Sequence, residues 1–345
     1  MLFAFALTGS SRALAQELLF FPRVVLQKTS AQTDAAAETA AKVGSSAFYS
    51  NDWQRLRALV EFDYQYERDR GEVDHDAEFE RAQLGWKFDS SNSVWLGRYH
   101  SPGGFWNTEH HHGALLQTSV TRPRISDFED HGGPLPVHLF GLLYQSSRAS
   151  GDGMFLFDMG VASGPRMEQD GLEPVAVLRG QHWGRMALVA RATWRPDAAG
   201  ETQGGVFLAQ TRIPSDLTAN DEIRQTLGGA GGTWDAHHWH LLSELYWVRN
   251  QFRASGNAAS FVSGQVQLER HLDQWTLFAR QESTASARND PYLALFADFP
   301  KARTALGVRF DITPRQALTL ELARHVNRDS TGYNEAAVQW STVLP

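Results

Sequence analysis

The stretch "LRALVEFDYQYE" (56–67) alternates between apolar and charged side chains along its whole length. One face carries Leu56, Ala58, Val60, Phe62, Tyr64 and Tyr66, and the other carries Arg57, Glu61, Asp63, Gln65 and Glu67. Because successive side chains of a strand point to opposite faces, this pattern predicts one β-strand with an apolar and a charged face. The strand is long for a globular protein but suits a tilted membrane strand.

The same alternation recurs in segments 81–88, 185–194, 303–311 and 318–322. A soluble β-sandwich shows this pattern too, with its apolar face turned inward. The connections are more informative. Short turns are predicted at 88–95, 194–201, 234–239, 272–275 and 310–318, and each of these five begins or ends at an aromatic residue. Longer polar connections are predicted at 68–77, 100–112, 147–152, 213–222, 250–259, 284–300 and 325–333.

Read together, these signals predict about sixteen strands, within a range of about twelve to eighteen. The predicted strands are 53–67, 78–88, 93–99, 113–123, 136–147, 153–163, 173–182, 185–194, 204–212, 223–234, 238–250, 260–270, 274–283, 302–311, 315–325 and 334–343. Short turns at one end, longer loops at the other and aromatic residues at strand ends are typical of a transmembrane antiparallel up-and-down β-barrel. We therefore predict an all-β fold of this kind.

The composition narrows the classes of function. The chain has 345 residues, no cysteine and a net charge of −7. The absence of cysteine excludes disulfide scaffolds, zinc ribbons and thiolate-bound iron–sulfur clusters. The scattered basic residues and the negative charge argue against a nucleic-acid partner.

Three regions are expected along the chain. Residues 1–15 run from an apolar stretch to the small-residue pattern Ala13-Leu14-Ala15 and resemble the end of a secretory signal peptide. Residues 16–50 include a low-complexity Ala/Thr-rich stretch at 30–48 and are interpreted as a linker, with a frayed helix as the alternative for that stretch. Residues 51–345 are predicted to form the barrel.

Two segments resemble a known family. The strand "VWLGRYHSPGGFWN" (94–107) is similar to the "GR…P-G…N" segment of Gram-negative outer-membrane porins of the phosphate- and oligosaccharide-porin type. The "FD-x-T-P" turn at 310–314, followed by alternating leucines, resembles the same group. This resemblance implies an outer-membrane channel and a loop near residues 100–112 that folds inward. Only four lysines are present, so no phosphate selectivity is carried over.

If the apolar faces meet lipid, the opposite faces line water, and a sixteen-stranded barrel is wide enough for an aqueous channel. The predicted pore-lining residues are Arg57, Glu61, Asp63, Arg81, Gln83, Lys87, Arg98, Arg191, Glu244, Arg309 and Glu321. Such charges tune selectivity, although they can also pair with one another and simply fill the interior. Because both signs occur, no ion preference is predicted.

The stretch "GRYHSPGGFWNTEHHHG" (97–113) is predicted to form a constriction or rim loop. Its candidate residues are Pro102, Gly103, Gly104, Trp106, Asn107, Glu109, His110 and His112. A metal site at His110 and His112 is an alternative. However, adjacent strand residues point to opposite faces, and such a site needs ligands from elsewhere. An exposed loop without a specific role is the third reading. We expect neither a metal nor a cofactor.

The leading hypothesis is a porin-like channel of the bacterial outer membrane for passive diffusion of small hydrophilic solutes or ions. Its expected partners are outer-membrane lipid, these solutes and, in a homotrimer, further copies of the chain. A barrel sheath for an electron-transfer or polysaccharide-export partner and a soluble secreted β-protein stay open as alternatives. An outer-membrane hydrolase is also open, but the sequence contains no G-x-S-x-G elbow, so we expect no enzymatic activity.

Overall fold

The computed structural model describes residues 16–30, 38–69, 72–109, 114–129, 132–169, 171–177, 185–216, 221–288 and 290–345. Within these ranges β-strand is the predominant secondary structure. The strands are β1 (Gln16–Thr29), β2 (Glu38–Trp53), β3 (Leu56–Asp69), β4 (Glu72–Lys87), β5 (Asn92–His100), β6 (His138–Ser150), β7 (Gly153–Ser163), β8 (Arg166–Glu168), β9 (Gly171–Glu173), β10 (Met186–Arg195), β11 (Gln203–Ser215), β12 (Asp221–Ala236), β13 (Trp239–Phe252), β14 (Ala258–Leu272), β15 (Trp275–Ala285), β16 (Ala302–Thr313), β17 (Gln316–Val326) and β18 (Gly332–Thr342).

Helical structure among the described residues is limited to short pieces. One α-helical turn, α1, covers Trp106–Glu109, and 3-10 turns cover Ala114–Leu116, Arg124–Ser126 and Leu293–Leu295. No helix in the described part of the chain has the length and apolarity needed to cross a membrane.

Sixteen of the strands close into one antiparallel ring. Each of them pairs with its neighbours along the chain, β7 pairs with β10, and β1 pairs with both β2 and β18. The closing ladder runs from Arg23 opposite Ser341 to Thr29 opposite Glu335. The remaining strands, β8 and β9, form a small hairpin in the connection from β7 to β10. Closure leaves none of the sixteen strands as an unpaired edge. The predicted all-β barrel is confirmed.

The connections differ between the two ends of the barrel, as predicted. Short turns at 54–55, 88–91, 151–152, 196–202, 237–238, 273–274 and 314–315 share one end with the start of β1 and the end of β18. The longest connections, between β5 and β6, β7 and β10, and β15 and β16, lie at the other end. We call these the turn end and the loop end.

The outer wall of the barrel is apolar. Leu84, Leu96, Met159, Leu208 and Leu322 each keep more than half of their surface exposed, with Leu208 at 66%. Six of the seven exposed tryptophans in the described part of the chain lie close to the turn end, namely Trp53, Trp86, Trp234, Trp239, Trp275 and Trp340; the seventh, Trp247, lies in the middle of β13. Aromatic rings at this level suit the boundary between hydrocarbon and headgroups, where one side of the ring is dry and the other is wet.

The interpretation of residues 16–50 as a linker is wrong. Two barrel strands, β1 and β2, lie in this region and pair along Gln16–Thr29 with Glu38–Asn51. The alternation in β2 is carried by Ala, Ser, Thr and Gly, whose small differences in polarity hide the period of two. The predicted signal peptide at 1–15 lies outside the described residues.

Two predicted strands, 113–123 and 173–182, are also wrong. Residues 114–116 form a 3-10 turn inside a long connection, and only Gly171–Glu173 is a strand in the second region, of which 178–184 lie outside the described residues. The two false strands replaced the two missed ones, so the predicted count of sixteen was right while the assignment was not. The connection at 147–152 is accordingly a tight turn, at 151–152, on the turn end. The predicted loop at 68–77 is mostly strand, because β3 and β4 extend to Asp69 and Glu72.

Strand β5 depends on a glycine. Gly97 has a φ of +138°, and a Cβ atom there would lie 1.9 Å from the carbonyl oxygen of Ala82 on β4. We expect Gly97→Ala to lower the free energy of unfolding by roughly 1–3 kcal/mol, because the residue combines a strained φ with a backbone clash. Denaturant titration of the refolded barrel measures the change.

The matched control for this prediction is Gly228→Ala on β12. A Cβ atom there would make ordinary contacts, 3.5 Å from the Leu208 side chain and 3.7 Å from Trp247. Equal unfolding midpoints for the two variants would contradict the role assigned to Gly97.

Candidate functional site: the barrel lumen

The described parts of the connection between β5 and β6, residues 101–109, 114–129 and 132–137, fold into the barrel, and we call them the lumen loop. Residues 101–107 are all buried, and Trp106 keeps only 1% of its surface. The resemblance to porins implied such an inward fold for residues 100–112. The segment that folds inward extends beyond this range, as far as residue 137.

The lumen loop is anchored on the opposite wall by Glu244 of β13. The Glu244 carboxylate accepts hydrogen bonds from the backbone N–H groups of Phe105 at 2.5 Å and Trp106 at 3.2 Å. It also accepts bonds from the Tyr246 hydroxyl at 3.0 Å and the Gln265 amide at 2.7 Å. Four donors therefore compensate the burial of this charge, as a buried carboxylate requires.

Farther along, the lumen loop follows the inner faces of β14 to β18. Arg309 donates to the carbonyl oxygens of Leu115 at 2.6 Å and Gln117 at 2.7 Å. Arg280 donates to the Ser119 hydroxyl at 3.0 Å and to the Thr121 carbonyl at 2.8 Å. The barrel wall thus satisfies backbone groups of the loop that no neighbouring strand reaches.

The charges on this wall form one network. Arg303 of β16 is 1% exposed and lies 2.9 Å from Glu321, 3.0 Å from Glu335 and 3.5 Å from Glu282. Glu321 also accepts a hydrogen bond from the Val120 backbone N–H at 2.9 Å. Interlinked charges of this kind hold the wall and the loop in a single geometry.

Arg122 brings a positive charge into the loop itself. It donates to Asn107 Oδ1 at 2.7 Å and to the Ser126 carbonyl at 3.0 Å, and its guanidinium lies 3.8 Å from the centre of the Phe128 ring. Burial lowers the pKa of Arg122 to about 10, against the opposing effect of Asp127. The group therefore stays protonated at neutral pH.

Apolar side chains fill the lumen toward the loop end. Residues from the β15–β16 connection, among them Tyr292, Leu293 and Phe296, pack with Phe207 and Ile223 of the wall. The Tyr292 hydroxyl donates to the Pro134 carbonyl at 2.6 Å, which ties this connection to the lumen loop. Burial raises the pKa of Tyr292 well above its ordinary value.

The inner face of β1–β4 carries a row of partly exposed ion pairs, which we call the β1–β4 ladder. Its rungs are Lys42–Glu67 at 2.8 Å, Arg23–Asp63 at 3.1 Å, Arg81–Glu61 at 2.6 Å, and Asp52 with both Arg57 at 2.7 Å and Lys87 at 2.5 Å. The two outermost rungs keep 27–36% of their side-chain surface, and the middle ones keep 3–12%. Water therefore reaches this wall from both ends and has least room at the middle rungs.

Nine of the eleven predicted pore-lining residues lie on two different parts of the inner wall, and Arg191 and Arg98 lie elsewhere. Arg57, Glu61, Asp63, Arg81 and Lys87 belong to the β1–β4 ladder, with Gln83 beside them on β4. Glu244, Arg309 and Glu321 hold the lumen loop. Arg191 lies 2.9 Å from Asp158 and donates to Thr108 at 2.6 Å, and Arg98 is fully buried against Glu78.

Most residues of the predicted constriction or rim loop lie in the described part of the lumen loop. Pro102, Gly103, Gly104, Trp106 and Asn107 are buried in the lumen loop. Glu109 lies 3.7 Å from Arg195 and keeps a third of its side chain exposed. His110 and His112 lie outside the described residues, so their metal-site alternative stays a prediction.

Sequence reasoning missed several charged residues of the lumen. Arg23 and Lys42 were lost with the linker assignment, although Arg23 and Gln27 alternate with Val24 and Leu26. Arg280 and Arg303 lie within predicted strands, but no sequence signal showed that the lumen loop would cover them.

Gly104 adopts a φ of +98° where the lumen loop meets β13. A Cβ atom there would lie 2.3 Å from the Tyr246 hydroxyl and 2.9 Å from Glu244 Oε1. We expect Gly104→Ala to displace the loop from Glu244 and to lower the free energy of unfolding by roughly 1–3 kcal/mol. Denaturant titration and limited proteolysis of the folded barrel measure the two effects.

The adjacent Gly103→Ala is the control, because its Cβ atom would meet the nearest atom, Ser101 Oγ, at 3.4 Å. If both variants resist protease equally and unfold at the same denaturant concentration, the anchoring role of this contact is wrong.

Known protein structures share this architecture. No family model matches the sequence, and no curated protein matches it. Solved structures do match in fold. An anion-selective porin from Comamonas acidovorans is 11% identical at a TM-score of 0.60, covering 96% of this chain and 100% of the porin. The outer membrane channel DcaP of Acinetobacter baumannii is 12% identical at 0.61, covering 98% and 99%.

A third match is Salmonella typhi OmpF in complex with daunomycin. It is 12% identical at a TM-score of 0.59 and covers 95% of this chain and 97% of OmpF. Identities this low establish the fold and leave the phosphate- or oligosaccharide-porin type untested. The predicted resemblance to outer-membrane porins is confirmed in the architecture, and the chain has the porin fold.

Proposed function

We propose that this protein is a bacterial outer-membrane channel through which small hydrophilic solutes or ions diffuse passively. The observation that carries the proposal is the division between the two faces of one closed ring. Apolar side chains such as Leu84 and Leu208 are exposed outside, and charged ones such as Arg23 and Glu61 lie inside. A membrane-spanning barrel needs such an outer belt, and a water-filled lumen accommodates such an inner face.

The β1–β4 ladder is the wall along which solutes pass. The lumen loop covers the inner faces of β13 to β18, where Glu244, Arg280 and Glu321 are at most 2% exposed. On the ladder, by contrast, Arg57, Asp52 and Lys87 keep about a third of their side-chain surface. Charges of both signs along a narrow passage create a field that acts on any ion that enters.

The proposed partners follow from this role. The exposed belt contacts outer-membrane lipid, and the small solutes pass through the lumen. A homotrimer is proposed on the resemblance to porins, and native mass spectrometry of the detergent complex tests it. The proposed role involves no catalysed reaction.

Planar-bilayer recording tests the channel directly. The purified full-length chain is refolded in detergent, its folding is checked by heat-modifiable gel migration, its insertion is checked by flotation with lipid vesicles, and its current is recorded in KCl. Stepwise ohmic conductance is expected. Silence of a correctly folded and inserted barrel would reject the channel and favour the sheath or the outer-membrane hydrolase.

The ladder makes a prediction about selectivity. Arg57→Gln removes a positive charge that lies 2.7 Å from Asp52 and leaves this carboxylate paired with Lys87 alone. The local potential becomes more negative, so we expect the reversal potential in a KCl gradient to shift toward cation preference.

Arg315→Gln is the matched control, because it removes the same charge from an exposed position in the turn between β16 and β17. Equal shifts in the two variants would show that Arg57 acts only through net charge. The ladder would then not be the path of permeation.

A further inference from the structure

Two histidines meet at the loop end of neighbouring strands. His100 ends β5 and His138 begins β6, and the strand register pairs them directly. Their ring centres are 5.0 Å apart. His138 is fully buried and His100 is 6% exposed, so neither side chain belongs to the proposed path of permeation.

A β-bulge adds a carboxylate to this pair. The register of β3 with β4 skips one residue, Glu80, between the pairs Glu61–Arg81 and Phe62–Phe79. An unpaired extra residue of this kind re-aims side chains on the bulged strand. Glu80 Oε2 lies 2.6 Å from His138 Nε2 and 3.9 Å from His100 Nε2. The three donor atoms lie within 4.8 Å of one another.

The lumen loop supplies the partner that orients His138. Glu129 Oε2 lies 2.8 Å from His138 Nδ1, and Glu129 Oε1 accepts the backbone N–H groups of Val137 at 2.6 Å and His138 at 2.9 Å. A carboxylate on Nδ1 keeps the proton of that nitrogen in place. Nε2, which shares a proton with Glu80 Oε2 at 2.6 Å, is therefore the nitrogen that can exchange its proton for a metal ion. Metal-binding histidines generally have such a carboxylate partner.

The surroundings of the three donors are dry. The Phe128 ring stacks on His138 at 5.2 Å and lies 5.6 Å from the His100 ring. Three cations lie nearby. Arg98 Nη2 is 4.0 Å from Glu80 Oε2 and Arg98 pairs with Glu78, Arg81 pairs with Glu61, and Arg122 stacks on Phe128. Exclusion of water by Phe128 strengthens every charge interaction at the cluster.

We propose that Glu80, His100 and His138 bind one divalent transition-metal cation of the Zn²⁺ type, with Glu129 as the outer partner of His138. Two imidazoles and one carboxylate are a ligand set that Zn²⁺ accepts, with water completing four-coordination. The bound ion would link β4, β5 and β6 to the lumen loop through Glu129. This proposal rests on the fold and does not depend on channel activity.

A second cluster of potential ligands, Glu201, Asp235 and His240, lies at the turn end. Glu201 is exposed there, and Asp235 and His240 are only partly buried. This cluster has the same donor types, but the carboxylate that contacts its histidine, Asp235 at 3.0 Å from His240 Nδ1, is itself one of the three candidate ligands. It therefore serves as the matched control site.

Zinc binding is measured on the full-length chain, refolded in detergent, treated with chelator and dialysed against ZnCl₂. We expect one Zn²⁺ per chain by elemental analysis, and zinc K-edge absorption that shows two imidazoles. We expect Glu80→Gln and His138→Gln to weaken the affinity at least about 100-fold, since each removes a ligand. Glu129→Gln should weaken it about 10- to 100-fold, because it removes only the outer partner. His240→Gln should leave it unchanged.

Three outcomes would overturn the proposal. The first is a folded wild-type barrel that takes up no zinc, in which case a proton on His138 bridges Glu80 and Glu129. The second is zinc lost in His240→Gln or His110→Gln but retained in His138→Gln. The third is an absorption edge without imidazole scattering. The first and third measurements use the wild-type chain, so they can overturn the proposal even if the variants fail to fold.

Discussion

The structure depends on the pairing of β1 with β18, which turns a row of strands into a ring. The strand pairing that closes the ring runs from Arg23 opposite Ser341 to Thr29 opposite Glu335. In hydrocarbon no water is available for an unpaired backbone N–H or carbonyl group, and each such group costs several kcal/mol, so an open sheet cannot span a bilayer. Closure also gives the two faces of every strand different surroundings. Successive side chains along a strand point alternately to the outside of the barrel and into its lumen.

Closure creates a polar interior that must be satisfied. The lumen loop does this on one side, where its backbone groups bond to Glu244, Arg309 and Glu321 while it covers their charges. Buried charges are retained at acceptable cost only when partners surround them, and here each of these has several. On the other side the outer rungs of the β1–β4 ladder stay partly exposed. The lumen thus has a packed part beneath the loop and a more open part along the ladder.

The same division separates the two proposals. The ladder pairs are partly exposed, so their charges remain available to a passing ion, and screening by salt keeps their individual stabilisation small. The cluster of Glu80, His100 and His138 is buried beneath Phe128, where charges interact strongly and ions do not pass. A β-bulge and the strand register bring this cluster together from residues 20 and 38 positions apart, counted from Glu80 to His100 and from His100 to His138.

Much of the barrel could be predicted from the amino-acid sequence, because a period of two in polarity is a local property. Residues 56–67 show it openly, and Arg57, Glu61 and Asp63 were correctly expected opposite the apolar face. Where the contrast is weak, as in the Ala- and Ser-rich β2, the local signal disappears and only pairing with β1 and β3 defines the strand. The role of Glu244, the course of residues 114–129 and the meeting of His100 with His138 were decided by the tertiary structure alone. Each is a contact across the lumen or between strands, and its geometry exists only once the ring has closed.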